Sequence, residues 1–289
     1  MYKRQDGYLY CFDANTLELK WKFYCGDNPD TAMGHNVPWG VSLIADGKVY
    51  VVTGEHTMPN PVPRGNKMYC IDAFTGEPLW NITFAYQTRS TCGIHAGILW
   101  YINRYDSLIY AFGKGPTKIT LSASPKNAYT ENTVVIEGTV TDESPGAKGT
   151  PAIADEFMSE WMQHIYMNKP MPANVKGVWV KLDAINVYTG EVINIGGTTT
   201  DSTGFFTVAW TPPKEGLYTI LAAFPGSESY YPSISQTALA VTAAPPAPET
   251  PEITPAPDYT PLFAGIIVAV AIAIIIGIAN IYLIRKKKP

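Results

Sequence analysis

Two stretches in the first third of the chain gather side chains able to do chemistry. Residues 26–40 hold His35 and Trp39, and residues 53–65 hold Glu55, His56 and Arg64. Imidazole, carboxylate and guanidinium groups on two irregular loops mark a candidate binding mouth. A plainer reading stands beside it and is the better fit: Pro59, Pro61 and Pro63 stiffen a surface excursion, and the histidines are ordinary loop residues. The four cysteines, Cys11, Cys25, Cys70 and Cys92, show no CxxC or CxxxC spacing, so a zinc site is not expected. There is no adjacent cysteine pair and no calcium loop of the Asp-x-Asp type. The sequence therefore offers no catalytic, metal or cofactor set. Cys11 and Cys70 read as small core residues, whereas Cys25 and Cys92 lie near loops and are placed to pair in an oxidising compartment. Asn81-Ile82-Thr83 is the chain's one sequon and agrees with an exterior location.

The elements that must position these residues repeat. Leu9-Tyr10-Cys11-Phe12-Asp13-Ala14-Asn15-Thr16-Leu17-Glu18-Leu19-Lys20-Trp21 matches Met68-Tyr69-Cys70-Ile71-Asp72-Ala73-Phe74-Thr75-Gly76-Glu77-Pro78-Leu79-Trp80 residue for residue at Tyr, Cys, Asp-Ala, Thr, Glu and Trp. Leu108-Ile109-Tyr110-Ala111-Phe112 is a third, partial copy. The pattern predicts a strand, a tight turn at Asn15-Thr16 or Thr75-Gly76, and a second strand ending in Trp. The Asp bonds backbone amides just after it, and the Trp buries a large area between neighbouring sheets. Tyr10, Asp13, Trp21, Tyr69, Asp72, Gly76 and Trp80 are the structural residues of this repeat. Repeats that cannot bury their faces alone imply stacked blades.

On these residues, the first 112 or so positions resemble the pyrroloquinoline-quinone-like β-propeller repeat. The resemblance implies about two and a half blades over residues 1–116, while a ring closes with ~4–8. The remaining blades are expected from an upstream segment or from another chain. Truncation is the favoured expectation, because Met1 lies inside a blade and residues 1–20 hold no apolar core of the kind export requires. Full enzymes of that family use a quinone, a bound calcium and a catalytic carboxylate. The repeat also builds non-enzymatic scaffolds. The expectation is a protein that is not an enzyme, with a membrane-tethered quinone-dependent dehydrogenase fragment as the alternative.

From about residue 117 the pattern becomes short alternating strands. Residues 118–122, 133–140, 178–184, 205–210 and 218–224 alternate, with turns at Asp201-Ser202-Thr203-Gly204 and Pro212-Pro213-Lys214-Glu215-Gly216. This argues a β-sandwich over 117–242 and looks like the immunoglobulin-like modules of bacterial and archaeal surface proteins. One stretch breaks the rule. Residues 151–167 read as a helix, with Thr150 as cap and Pro151 at the first position. Ile153, Phe157, Met158, Trp161, Met162 and Ile165 form its apolar stripe. That stripe either packs on the sandwich or the blades, or offers a partner an adaptable Met and aromatic face. His164 reads as structural.

Residues 243–261 carry seven prolines and predict an extended stalk. Residues 262–284 are twenty-three positions without a formal charge, followed by Arg285, Lys286, Lys287 and Lys288. An α-helix needs ~20 apolar residues to cross a bilayer. Of the 21 Lys and Arg, four follow that run, and the remainder face 25 Asp and Glu. An acidic body argues against nucleic acid. The basic cluster places residues 285–289 in the cytoplasm and both β regions outside the cell membrane. A tail-anchored protein facing the cytoplasm is the competing topology.

The expected fold class is all-β: incomplete propeller blades, an immunoglobulin-like β-sandwich with one inserted helix, and a single C-terminal transmembrane helix. The combination resembles the C-terminal part of an archaeal-type cell-surface protein. A protein or glycan partner is the expected ligand, with the membrane engaged through the final helix.

Overall fold

The computed structural model describes residues 2–3, 5–54, 63–83, 92–103, 106–245 and 256–286, with the side chains of 2, 3 and 40–42 outside the description. Glu55, His56, Pro59, Pro61, the stalk residues 246–255 and Lys287–Lys288 lie outside the described residues. The chain divides into two compact units, Met1–Ala244 and Pro245–Pro289.

The first unit begins with three antiparallel sheets. The first contains β1 (Tyr2–Lys3), β2 (Tyr8–Phe12) and β3 (Leu19–Tyr24). The second contains β4 (Pro38–Ala45), β5 (Lys48–Thr53), β6 (Lys67–Asp72) and β7 (Pro78–Thr83). The third contains β8 (Cys92–His95), β9 (Ile98–Asn103) and β10 (Leu108–Phe112). These are incomplete propeller blades.

The second sheet is covered on both faces, which explains why β5 and β6 are buried almost throughout instead of alternating. Successive side chains point to opposite faces. Tyr69, Ile71, Val49 and Val51 meet Leu9, Trp21 and Phe23 of the first sheet. Met68, Cys70, Tyr50, Val52 and Ile82 meet Leu99, Tyr101, Tyr110 and Phe112 of the third.

The repeat hairpins have matching geometry. Oδ1 of Asp13 accepts the N–H groups of Asn15 and Thr16 at 2.9 and 3.1 Å, and Oδ1 of Asp72 accepts those of Phe74 and Thr75, both at 2.8 Å. Asp13 N–H donates to Glu18 O, and Asp72 N–H to Glu77 O. Both hairpins shift register at the same place, between Cys11 and Phe12 and between Cys70 and Ile71. The left-handed turn position is Leu17 in one (φ 60°) and Gly76 in the other (φ 80°). The amides that bond Asp13 and Asp72 hold both carboxyls below the usual carboxylate value.

The sandwich follows. One sheet pairs β11 (Thr117–Ser124) with β13 (Val134–Asp142), and β13 also pairs with β14 (Thr150–Pro151) and β17 (Phe205–Trp210). The other runs β12 (Asn127–Tyr129), β19 (Ser233–Thr242), β18 (Gly216–Phe224), β15 (Trp179–Asn186) and β16 (Val192–Thr199). Between them lies a core built on Ile136, Val140, Leu182, Phe206, Ile220 and Leu239. The five alternating runs read in the sequence are β11, β13, β15, β17 and β18.

The predicted helix is shorter than expected. Thr150 and Pro151 form a strand opposite Asp142 and Thr141, and Ile153 bridges to Gly177, so neither cap nor N1 lies there. A proline is tolerated in this edge strand because it needs no ladder N–H. The helical path starts with a single 3₁₀ turn at Asp155–Phe157 and continues as α1 (Met158–Met167), ending at Asn168 in the left-handed conformation (φ 52°). His164 Nδ1 lies 2.8 Å from the Lys169 carbonyl oxygen, a contact that fastens this end.

The second unit holds α2 (Thr260–Lys286), 27 residues long and apolar up to Arg285 and Lys286, with no residue buried. At 1.5 Å per residue it spans ~40 Å, long enough to cross a bilayer with tilt.

Candidate interaction surfaces

The loop between β3 and β4 is fastened by a buried amide network. Asn28 Nδ2 donates to Asn36 Oδ1 at 2.9 Å and to the Arg64 carbonyl at 2.8 Å. Asn36 Nδ2 reaches the Cys25 carbonyl at 3.2 Å, which also accepts the Tyr69 hydroxyl. Thr53 Oγ1 donates to Asn66 Oδ1 at 3.3 Å and accepts the Lys67 N–H at 2.7 Å. Short amide side chains suit this task because each carries donors and an acceptor, and a buried polar group left unpaired is costly. Two of the described residues of the expected mouth, His35 and Arg64, are held by the same scaffold. His35 Nε2 lies 2.9 Å from Gln5 O, with the ring packed over Gly7. Arg64 Nε pairs with Asp30 at 3.0 Å, an ion pair that lowers the Asp30 carboxyl below its ordinary value. Trp39 is half-buried at the start of β4. The network residues Asn28, Asn36 and Asn66 were not singled out from the sequence; isolated asparagines in a loop give no signal before their partners are known.

The cysteine pairing is corrected. No disulfide joins any of the four cysteines. Cys25 sits in the core between the first and second sheets and Cys92 against the core between the second and third, so the second sheet separates them. Burial pushes the Cys25 thiol up to about 12 and Cys70 to about 11, which keeps both as unreactive thiols. Asn81 is half-buried in β7, opposite Tyr69.

The stripe of α1 is also committed inward. Trp161 is buried with Ile153 and Val175. Met162 and Met167 pack on the core between the second and third sheets, and Met158 on the sandwich core. Phe157 and Ile165 pack around Trp161. The helix is thus a wedge between blades and sandwich, and its face is not free for a partner. Asp155 ties the same junction, accepting from Ser227 Oγ (2.9 Å) and from the Glu228 and Ser229 N–H groups (both 3.0 Å). Partial burial raises the Asp155 carboxyl, but these donors outweigh it, and the net shift is downward.

Among the described residues, two sheet faces of the blades carry exposed aromatic or apolar side chains. The outer face of the first sheet carries Tyr8, Tyr10, Phe12 and Tyr24. Ring centroids lie 4.9 Å apart for Tyr8 and Tyr24, 6.0 Å for Tyr8 and Tyr10, and 6.2 Å for Tyr10 and Phe12. Lys22 Nζ lies 5.2 Å from the Tyr8 ring centre. The Tyr24 hydroxyl donates to Asp27 at 2.6 Å, which together with burial pushes its pKa up to about 12. The outer face of the third sheet carries Ile98, Trp100 and Ile109. Both surfaces can stack on flat apolar groups. The period-two aromatics of β2 were the available signal for the first. Among the described residues, no group of three His, Cys, Asp or Glu converges to hold a metal ion.

Neither a protein-family model nor a curated protein sequence matches the chain. Solved structures overlap it loosely. The CARDB domain of a Pyrococcus furiosus protein in complex with di-metal ions is 13% identical, covers 45% of this chain and 91% of its own, with a TM-score of 0.25. A β-glucosidase from Listeria innocua in complex with isofagomine is 10% identical, covering 46% of this chain and 17% of its own, with a TM-score of 0.23. BamB from Moraxella catarrhalis is 13% identical, covering 72% of this chain and 80% of its own, with a TM-score of 0.15.

Proposed function

We propose that this chain is a single-pass cell-surface protein that displays its blades and immunoglobulin-like sandwich outside the membrane, where they bind a protein or glycan. The observation that carries the reading is α2, an apolar helix of bilayer length that runs directly into Arg285 and Lys286. Basic flanks stay on the cytoplasmic side, so the β unit falls outside. The exposed aromatic face of the first sheet supports a binding role, since contiguous apolar patches on a soluble surface mark interaction sites. The resemblance to archaeal-type surface proteins agrees with it.

The test is protease treatment of intact cells expressing the chain behind a secretory leader, with one tag before Met1 and another after Pro289. Loss of the first tag, with a short anchor fragment retaining the second, is the expected result. Protection of the first tag places the β unit in the cytoplasm and removes the proposal.

A further inference from the structure

The outer face of the five-stranded sandwich sheet sets a flat, half-open indole beside a buried carboxylate oxygen that has no partner among the described residues. We infer that this face is a platform for a neutral glycan, on which Trp179 stacks on a sugar ring while Asp183, Asn194 and Gln236 bond its hydroxyls. This platform specifies the ligand of the proposed surface-binding role and rests on that reading.

Alternation places the residues. Val180, Leu182 and Ala184 of β15 lie in the sandwich core, so Trp179, Lys181 and Asp183 face the other way. The ladder sets Asn194 of β16 beside Asp183 on one side, and Leu221 of β18 and then Gln236 of β19 on the other. With strands ~4.8 Å apart, Asn194 and Gln236 stand ~14 Å from one another across this row. Both are exposed.

Trp179 forms the flat part. A Cβ on Gly197 would sit 2.4 Å from the indole Cζ2 and 2.6 Å from Cε2. The ring therefore rests on the bare backbone of β16, yet Trp179 is 48% exposed. An indole that lies on the sheet and stays half open turns its second face to solvent. A sugar ring offers that face a layer of C–H groups and carries hydroxyls around its rim.

Asp183 is the independent observation. It is 7% exposed; Oδ2 accepts from Lys181 Nζ at 2.7 Å, and Oδ1 is the buried oxygen without a partner among the described residues. A buried acceptor left unpaired is costly, the more so on a carboxylate. What Oδ1 lacks is a donor, and a polyhydroxyl ligand carries many. Lys181 is the movable cover, with 46% of its side chain exposed. As the sugar seats, the ammonium turns to a ligand oxygen and a hydroxyl donates to the carboxylate. Lys181 and Asp183 cancel in charge and Asn194 and Gln236 add none, so the platform complements a neutral glycan and not an acidic one.

The test is isothermal titration calorimetry of the full chain in phosphatidylcholine nanodiscs against cellohexaose, chitohexaose and mannohexaose, with native near-ultraviolet circular dichroism as the condition for including a variant. Saturable binding of at least one hexasaccharide is expected. It should weaken about tenfold in Trp179→Ala and in Asp183→Ala, and about threefold in Asn194→Ala, an exposed position where folding is not at stake. Trp179→Phe, which keeps a ring over Gly197, should lose less than Trp179→Ala. Tyr188→Ala, which removes an exposed ring from the hairpin tip of the same sheet, should bind as the wild type does. Binding of none of the three sugars, binding that Trp179→Ala or Asn194→Ala leaves intact, or an equal loss in Tyr188→Ala overturns the platform. A chain that binds no sugar but still loses its first tag to protease on intact cells overturns the platform alone and keeps the surface reading.

Discussion

Trp21 on the first sheet donates its indole N–H to the Ala73 carbonyl on the second at 3.1 Å, and its ring closes over Gly76. A Cβ on Gly76 would sit 2.7 Å from the indole, at a φ of 80°. The turn of one blade is therefore the socket for the tryptophan of the blade before it. Gly76→Ala should destabilise by about 1–3 kcal/mol through backbone strain and displacement of the ring. Trp21→Ala should cost about 3–5 kcal/mol, with the half-buried Trp80 costing less. Denaturant unfolding followed by circular dichroism checks all three. A neutral Gly76→Ala would mean that the socket is not closed in solution.

Leu17 occupies the position of Gly76 in the first hairpin, at φ 60° and 74% exposed. An L-residue there is strained, and its side chain gains little from burial. Leu17→Gly is expected to stabilise by roughly 0.5–1 kcal/mol, the relief of left-handed strain being partly offset by the greater freedom of the unfolded chain. A lower melting temperature in the variant would contradict this.

Asp155 gives the junction of helix and sandwich its pH dependence. Its carboxyl is depressed in the folded state, so its contribution is present above the unfolded value near ~3.9 and is lost as pH falls through the lower folded value. Melting temperatures of wild type and Asp155→Asn should differ at pH 7 and converge toward pH ~3. A constant difference across that range would assign the effect to shape instead of charge.

The Trp161 indole nitrogen is buried with no hydrogen-bond partner among the described residues. Trp161→Phe should therefore cost far less than Trp161→Ala, for which about 3–5 kcal/mol is expected, since the phenyl ring keeps much of the packing and removes an unpaired donor. Urea unfolding of the two variants decides it; equal losses would show that a partner for the indole forms in solution.

Replacing Arg285, Lys286, Lys287 and Lys288 with Ser should weaken the orientation of the chain while leaving membrane insertion intact, because the apolar run supplies the partition energy and the charges only bias its direction. The tag-protection assay reads this as a mixed population. An unchanged single orientation would mean that the β unit alone decides topology.

The parts of this fold legible in the sequence were those with a period. The Asp-Ala turns and their Trp residues recurred in register, and β11, β13, β15, β17 and β18 alternated. Both signals follow from backbone geometry, which repeats along a chain. What was not legible depended on partners distant in sequence. Thr150 and Pro151 carry every local mark of a helix start, yet pairing with Thr141 and Asp142 overrides them. His35, Arg64 and the stripe of α1 looked available because sequence shows a residue's type, not what already occupies it. Asp30, Gln5 and the blade core were the missing terms.

The blade hairpin has a counterpart beyond the blades. Between β15 and β16, Asn186-Val187-Tyr188-Thr189-Gly190-Glu191 repeats the arrangement of Asp72-Ala73-Phe74-Thr75-Gly76-Glu77. Asn186 Oδ1 accepts the N–H groups of Tyr188 and Thr189 at 3.0 and 3.1 Å, Asn186 N–H donates to Glu191 O, and Gly190 takes φ 72°. Two different architectures in one polypeptide thus share an interchangeable corner piece. The corner alone therefore does not tell a blade from the sandwich in this chain. What separates them is the tryptophan further along the blade strand, because only in the blades does a neighbouring sheet receive it.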